Sequence, residues 1–128
     1  METGIKGTQE LVVSQQTSAK SVGSGLLDVF ATPSMIALME KTASESVQPY
    51  LEDGQGTVGT KINISHVAAT PLGMKVTCTT ELVEIDRRKL VFKVEAHDEA
   101  GLIGEGTHER FIIQSEPFQQ KADAKKDA

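Results

Sequence analysis

The chain has a single cysteine, Cys78, so no internal disulfide can form, and a reducing compartment suits it. Long apolar runs are absent. The longest, Met35 to Met39, falls far short of the ~20 residues a membrane-spanning helix needs. The opening stretch, Met1-Glu2-Thr3-Gly4-Ile5-Lys6, offers no apolar segment for a secretory signal. Basic residues are outnumbered, 13 Lys and Arg against 18 Asp and Glu, for a net charge of −5. That is the wrong sign for a nucleic-acid binder, whose affinity rests on neutralising phosphates. No repeat recurs at the usual spacings, and no linker rich in Gly, Ser or Pro divides the chain. At 128 residues, these absences leave one soluble, acidic, cytoplasmic domain with neither membrane nor nucleic acid as partner.

The common catalytic signatures are missing too. There is no G-x-S-x-G elbow, no P-loop and no H-E-x-x-H. Gly104-Glu105-Gly106-Thr107-His108-Glu109 lacks the third glycine of a dinucleotide fingerprint and lies in a predicted strand. His66, His97 and His108, with the one cysteine, show no metal-ligand spacing, so neither a metal nor another cofactor is expected.

What is present is a clear helix followed by strands. From Pro33 to about Tyr50, the residues Met35, Ile36, Leu38, Met39, Ala43, Val47 and Tyr50 approximate the stripe of a buried helical face. Thr32 suits the N-cap and Pro33 the first helical position, where a missing N–H costs nothing. After Gly56, Val58, Thr60, Ile62, Ile64 and His66 share one strand face, with Gly59, Lys61, Asn63 and Ser65 on the other. Met74, Val76, Cys78 and Leu82 alternate next, and the phase flips at Val83 and Ile85, which predicts a bulge. Leu90, Phe92, Val94 and Ala96 form a further strand, and the last runs from Leu102 to about Gln114. With Glu10 to Thr17 as a first strand, the expected fold is α+β, a four-strand antiparallel meander with one long helix across it. Gly104 and Gly106 share a face, which suits close approach of the helix. Residues 1–114 make the single domain, and 115–128 read as a solvated, disordered tail.

Several side chains stand out. Glu40 lies at the margin of the helix's apolar face with no cation three or four residues away, a partly desolvated setting suited to acid/base chemistry; an edge glutamate reaching water is the plain alternative. His66 ends an apolar strand face, where a structural histidine is the commoner outcome, yet packing of helix on strand would let it approach Glu40. Thr32 is explained by capping alone, although a helix N-terminus also suits a developing oxyanion. Arg110 reads as a surface ion-pair partner or an inward charge. Arg87-Arg88-Lys89 reads as a solvated turn that could also meet phosphates, and Cys78 as a small core residue.

Together the segments Phe30-Ala31-Thr32, Leu38-Met39-Glu40, Pro49-Tyr50-Leu51, Gly59-Thr60, Ser65-His66-Val67-Ala68-Ala69-Thr70-Pro71, Ala96-His97-Asp98 and Ile103 through Arg110 resemble the fluoroacetyl-coenzyme A thioesterase family. The resemblance runs from about Thr17 to Phe118. It implies a hot-dog fold, an antiparallel sheet wrapped around one long helix, and a homodimer. It also implies hydrolysis of a short-chain acyl-coenzyme A thioester. Thr32, Glu40 and His66 match the family's catalytic positions, and Gly59 and Arg110 match positions beside the acyl group. Thr32 would be nucleophile or orienter, Glu40 the base, and His66 the polariser or proton donor. Two departures accompany this. The segment Ser21 to Leu27 is glycine-rich where the fluoroacetyl-selective member has phenylalanines, and Pro33 replaces a glycine. Fluoroacetyl selectivity is therefore not carried over. The alternative is a non-catalytic hot-dog module that binds acyl-coenzyme A.

Overall fold

In the computed structural model, residues 1–127 are described, and the elements run in the order β1 (Lys6–Val12), α1 (Ala19–Val22), α2 (Thr32–Val47), β2 (Gln55–His66), β3 (Lys75–Asp86), β4 (Lys89–His97), β5 (Leu102–Gln114) and α3 (Ser115–Asp123). All five strands join one antiparallel sheet in the order β1-β3-β4-β5-β2. Helix α2 lies across the sheet's inner face. Met35, Met39, Ala43 and Val47 are fully buried there against Val76, Cys78, Leu82, Leu90, Phe92 and Val94. Burying each large apolar side chain contributes about 1.5–3 kcal/mol, which is what fixes the helix in place.

The expected meander holds for β3, β4 and β5 but fails for β2. That strand pairs with β5, not with its sequence neighbour β3. The connection from 67 to 74 crosses the end of the sheet instead. It is held there because Val67 N–H donates to Ile103 O at 2.7 Å and Gly73 N–H to Val13 O at 2.8 Å. β2 is therefore an edge strand. The first strand also sits earlier than expected, at Lys6–Val12, because a capped turn at Ser14 to Thr17 ends it.

The predicted bulge is present. The β3–β4 register shifts between Leu82 and Glu84, leaving Val83 unpaired. A second bulge was not anticipated: the β2–β5 register shifts between Gly59 and Lys61, around Thr60. It reverses the face assignment upstream, so Gly59 joins Ile62, Ile64 and His66 on the inner face rather than opposing them. The glycines of β5 also divide in purpose. A Cβ on Gly104 would sit 2.6 Å from Met35, the helix approach expected, whereas one on Gly106 would strike the Asn63 backbone of β2.

The helical stripe ends sooner than its sequence suggested. At Gln48–Tyr50 the chain tightens into a 3₁₀ turn, whose different period turns Tyr50 outward to 57% exposure. The tail expected to be disordered is helical from Ser115 to Asp123, although no residue in it is buried. Glu116 in its first turn and Lys121 in its last complement the helix dipole, and Gln119 and Gln120 bond along the surface to Asp123 and Glu116.

Candidate active site

Thr32 does not cap its helix. Ala31 holds the N-cap position, with Met35 N–H donating to Ala31 O at 2.9 Å, and Thr32 becomes the first helical residue. Proline is accepted at either of the first two positions, so Pro33 could not fix the boundary to the residue. The start is set by the preceding chain, where Phe30 N–H donates to Thr70 O and Ala31 N–H to Thr17 O. Released from capping, the Thr32 hydroxyl lies 2.7 Å from His66 Nδ1. Thr32 and Ser34 stand in the first turn, where backbone N–H groups have no intrahelical acceptor, at the positive end of the dipole, and Pro33 between them has no N–H.

His66 closes β2 from the opposite side and is half-buried. Burial lowers its pKa below the ordinary 6.5, and a longer polar contact with the Ala68 backbone offsets this in part. The ring is thus neutral at pH 7 and can accept a proton. Its Nε2 is buried without a hydrogen-bond partner. The Thr32–His66 pair opens on a cleft of about 290 Å³, lined also by Ser24, Val29, Phe30 and Ala68. Polar groups in such a small recess suit a small acyl group.

The other matched residues lie elsewhere. Glu40 follows Thr32 by two helical turns, about 12 Å along the axis. It is half-buried and faces Gly59, its carboxyl carbon 3.7 Å from where a Cβ on that glycine would stand. Gly59 also lies against the His108 ring and an Arg110 guanidinium nitrogen, at 3.2 and 3.3 Å from that same point. Along β2, Gly59 and His66 are separated by about 20 Å. One chain therefore does not bring Glu40 to His66, contrary to the sequence expectation. The cation that α2 itself does not provide for Glu40 comes from β5.

Arg110 is inward and buried, at 7% exposure, so the surface reading of this residue is excluded. Its Nε–H donates to Thr57 Oγ1 at 2.8 Å and its Nη2–H to Thr57 O at 2.9 Å. Burial pushes its pKa down while the nearby Glu40 carboxylate pulls it back up. His108 drew no role of its own from the sequence, yet it is almost fully buried beside Arg110. The signal that could have found it is the two-residue period that grouped Gly104 with Gly106. Carried on, it places His108 and Arg110 on the same inner face. Arg87-Arg88 forms the β3–β4 turn, with Arg87 at φ 58°, while Lys89 opens β4, paired with Asp86; Cys78 is fully buried in the core. No helix is long and apolar enough to cross a membrane among the described residues.

A five-stranded antiparallel sheet wrapped around one long helix is the hot-dog fold of the thioesterases. The chain belongs to the fluoroacetyl-CoA-specific thioesterase family, FlK, whose model matches residues 13–116, and it is a thioester hydrolase. It is 48% identical over 94 residues to a fluoroacetyl-CoA thioesterase from Streptantibioticus cattleyicolor, covering 73% of this chain and 68% of that one. The solved fluoroacetyl-CoA thioesterase FlK matches at a TM-score of 0.93 and 39% identity, over 98% of this chain and 97% of that one. A point variant of FlK in complex with acetyl-CoA matches at 0.93 and 38%, over 98% of both chains. A thioesterase superfamily member from Thermus thermophilus is similar at 0.90 and 26%, over 98% and 93%.

Proposed function

We propose that the protein hydrolyses short-chain acyl-coenzyme A thioesters through Thr32, His66 and Glu40, with Gly59 and Arg110 beside the acyl group. The observation that carries this reading is the 2.7 Å contact between the Thr32 hydroxyl and His66 Nδ1 in a small cleft. As Thr32 Oγ1 attacks the thioester carbonyl, neutral His66 takes the hydroxyl proton and passes it to the departing thiolate. The free N–H groups at the start of α2 face the developing oxyanion. Glu40 then draws a proton from the water that cleaves the acyl-enzyme ester and returns it to the departing Thr32 oxygen, which releases the acid and restores both residues.

Glu40 reaches that site only from a second copy, and the reading therefore includes a homodimer. β2 has one unpaired edge, and a two-fold axis near Ile62 and Asn63 would set the Gly59 end of one copy beside the His66 end of the other. Leu26 and Leu27, 89% and 68% exposed close to the cleft, give such a dimer apolar surface to cover. The working unit is residues 1–114, acting in the cytoplasm, where the lone buried cysteine needs no oxidation partner.

The segment over the cleft is built on Gly23, at φ 80°, and Gly25, with no aromatic side chain between Ser21 and Val29. Without a rigid aromatic surface, a fluorine and a hydrogen on the acyl group are distinguished weakly. Steady-state hydrolysis across acyl-coenzyme A chain lengths tests the whole reading. Turnover is expected on several short esters, with fluoroacetyl and acetyl within about tenfold in kcat/KM. Absence of turnover on every ester would overturn the reaction. A preference of about 10³, equivalent to about 4 kcal/mol, would overturn the account of the lid.

A further inference from the structure

His108 makes two hydrogen bonds that settle its state. Its Nδ1 lies 2.8 Å from Lys61 O, a carbonyl that can only accept, so Nδ1 carries the proton. Its Nε2 lies 3.2 Å from Arg110 Nη1, a group that can only donate, so Nε2 offers its lone pair. One neutral tautomer satisfies both contacts, and protonation would set an N–H against the guanidinium.

The placement of these bonds matters more than their number. Lys61 is the residue just past the Thr60 bulge, and that bulge is what turns Gly59 inward. The His108 ring therefore ties the carbonyl that fixes the bulge to the arginine beneath it. Its Cε1, between the two bonded nitrogens, fills the space next to Gly59 that a side chain there would need. Arg110 is held on its other side by Thr57, so three of its five N–H groups are taken. One N–H on Nη1 and one on Nη2 remain for the Glu40 side and the acyl pocket. An apolar side chain would fill the position against Phe92, whose ring centroid is 6.3 Å away, without burying two nitrogens. The histidine supplies what such a side chain lacks, an acceptor aimed at Arg110.

We infer that His108 is the positioning residue of the acyl-side pocket, holding the Arg110 guanidinium and the Gly59 bulge in register as a fixed Nδ1–H tautomer. This rests on the reading above for the pocket role of Gly59 and Arg110, and its test has an arm that does not depend on turnover. In the intact wild-type protein, nitrogen NMR of the histidine rings should show His108 protonated at Nδ1 and bare at Nε2. A proton on Nε2 would overturn the inference whatever the enzyme hydrolyses.

The kinetic arm uses His108→Phe, which keeps a ring but loses both bonds, and His108→Gln, whose terminal carbonyl can reach Arg110. His108→Phe should lower kcat/KM for acetyl-coenzyme A roughly tenfold, and His108→Gln should recover most of that loss. In an Arg110→Met background, His108→Phe should cost nothing further. Equal losses in Phe and Gln variants, or a full additional loss in the Arg110→Met background, would make His108 a packing residue only. If His108→Phe fails to fold, the tautomer and the comparison of His108→Gln with wild type still decide.

Discussion

The two ends of β2 make different kinds of site from neighbouring stretches of one strand. At the His66 end, a neutral imidazole meets a hydroxyl at an open cleft, and the pieces come from a strand end, a crossing loop and a helix start. At the Gly59 end, a buried guanidinium, a buried imidazole and a half-buried carboxylate surround a glycine at a bulge. The first end has the hydroxyl–imidazole pair but no carboxylate in its cleft. The second has carboxylate and cation around a glycine. Keeping them about 20 Å apart spares a single chain the cost of gathering all the polar groups in one core region, where each would need its own partner.

The sharpest way to break this division is at Thr32. Its hydroxyl caps nothing but bonds His66 Nδ1, so Thr32→Ala should cost about 1 kcal/mol, the worth of one hydrogen bond, while turnover falls by roughly 10²–10⁴-fold. Thr32→Ser keeps a hydroxyl in reach of His66 and should retain measurable turnover. Purified variants compared by melting temperature and by acetyl-coenzyme A hydrolysis check both statements. Equal activity per folded molecule in all three proteins would remove Thr32 from the chemistry.

A smaller effect comes from pH. In the proposed mechanism His66 acts as a base only when neutral, and burial holds its pKa in the free chain below 6.5, so the acid limb of kcat/KM should fall below that value. Stability should move the same way. His66 and His108 both have folded pKa values below the ordinary 6.5, so the unfolded chain binds protons more readily as pH drops. The melting temperature should therefore decline from about pH 7 downward through 6.5, and less so in His108→Gln. An acid limb centred above 6.5 would contradict the placement of His66.

How much of this was legible in the sequence depended on whether hydrophobic alternation recorded the backbone. The Val83 bulge was readable because Val83 and Ile85 visibly break the phase set by Val76 and Leu82. The Thr60 bulge was not, since Val58, Thr60, Ile62 and Ile64 continue an unbroken alternation straight through it. Gly59 was thereby placed on the wrong face. The pairing of β2 with β5 was hidden for a different reason. Nothing in 67–74 announces a crossing, which is set by backbone bonds to Ile103 and Val13. The long helix and the inward glycine Gly104 were readable from period alone. The distance between Glu40 and His66 was not, because it depends on where along β2 each side chain lands.

The central claim is that the two ends of β2 act together only across two copies of the chain. Glu40→Gln and His66→Ala should each be nearly inactive alone. They should then be mixed under conditions that allow subunits to exchange. Half the dimers would carry one of each variant, and each such dimer would hold one intact site with Glu40 from one chain and Thr32–His66 from the other. Activity should return to about a quarter of the wild-type value. No recovery on mixing, with exchange demonstrated by mass spectrometry of tagged chains, would contradict the account.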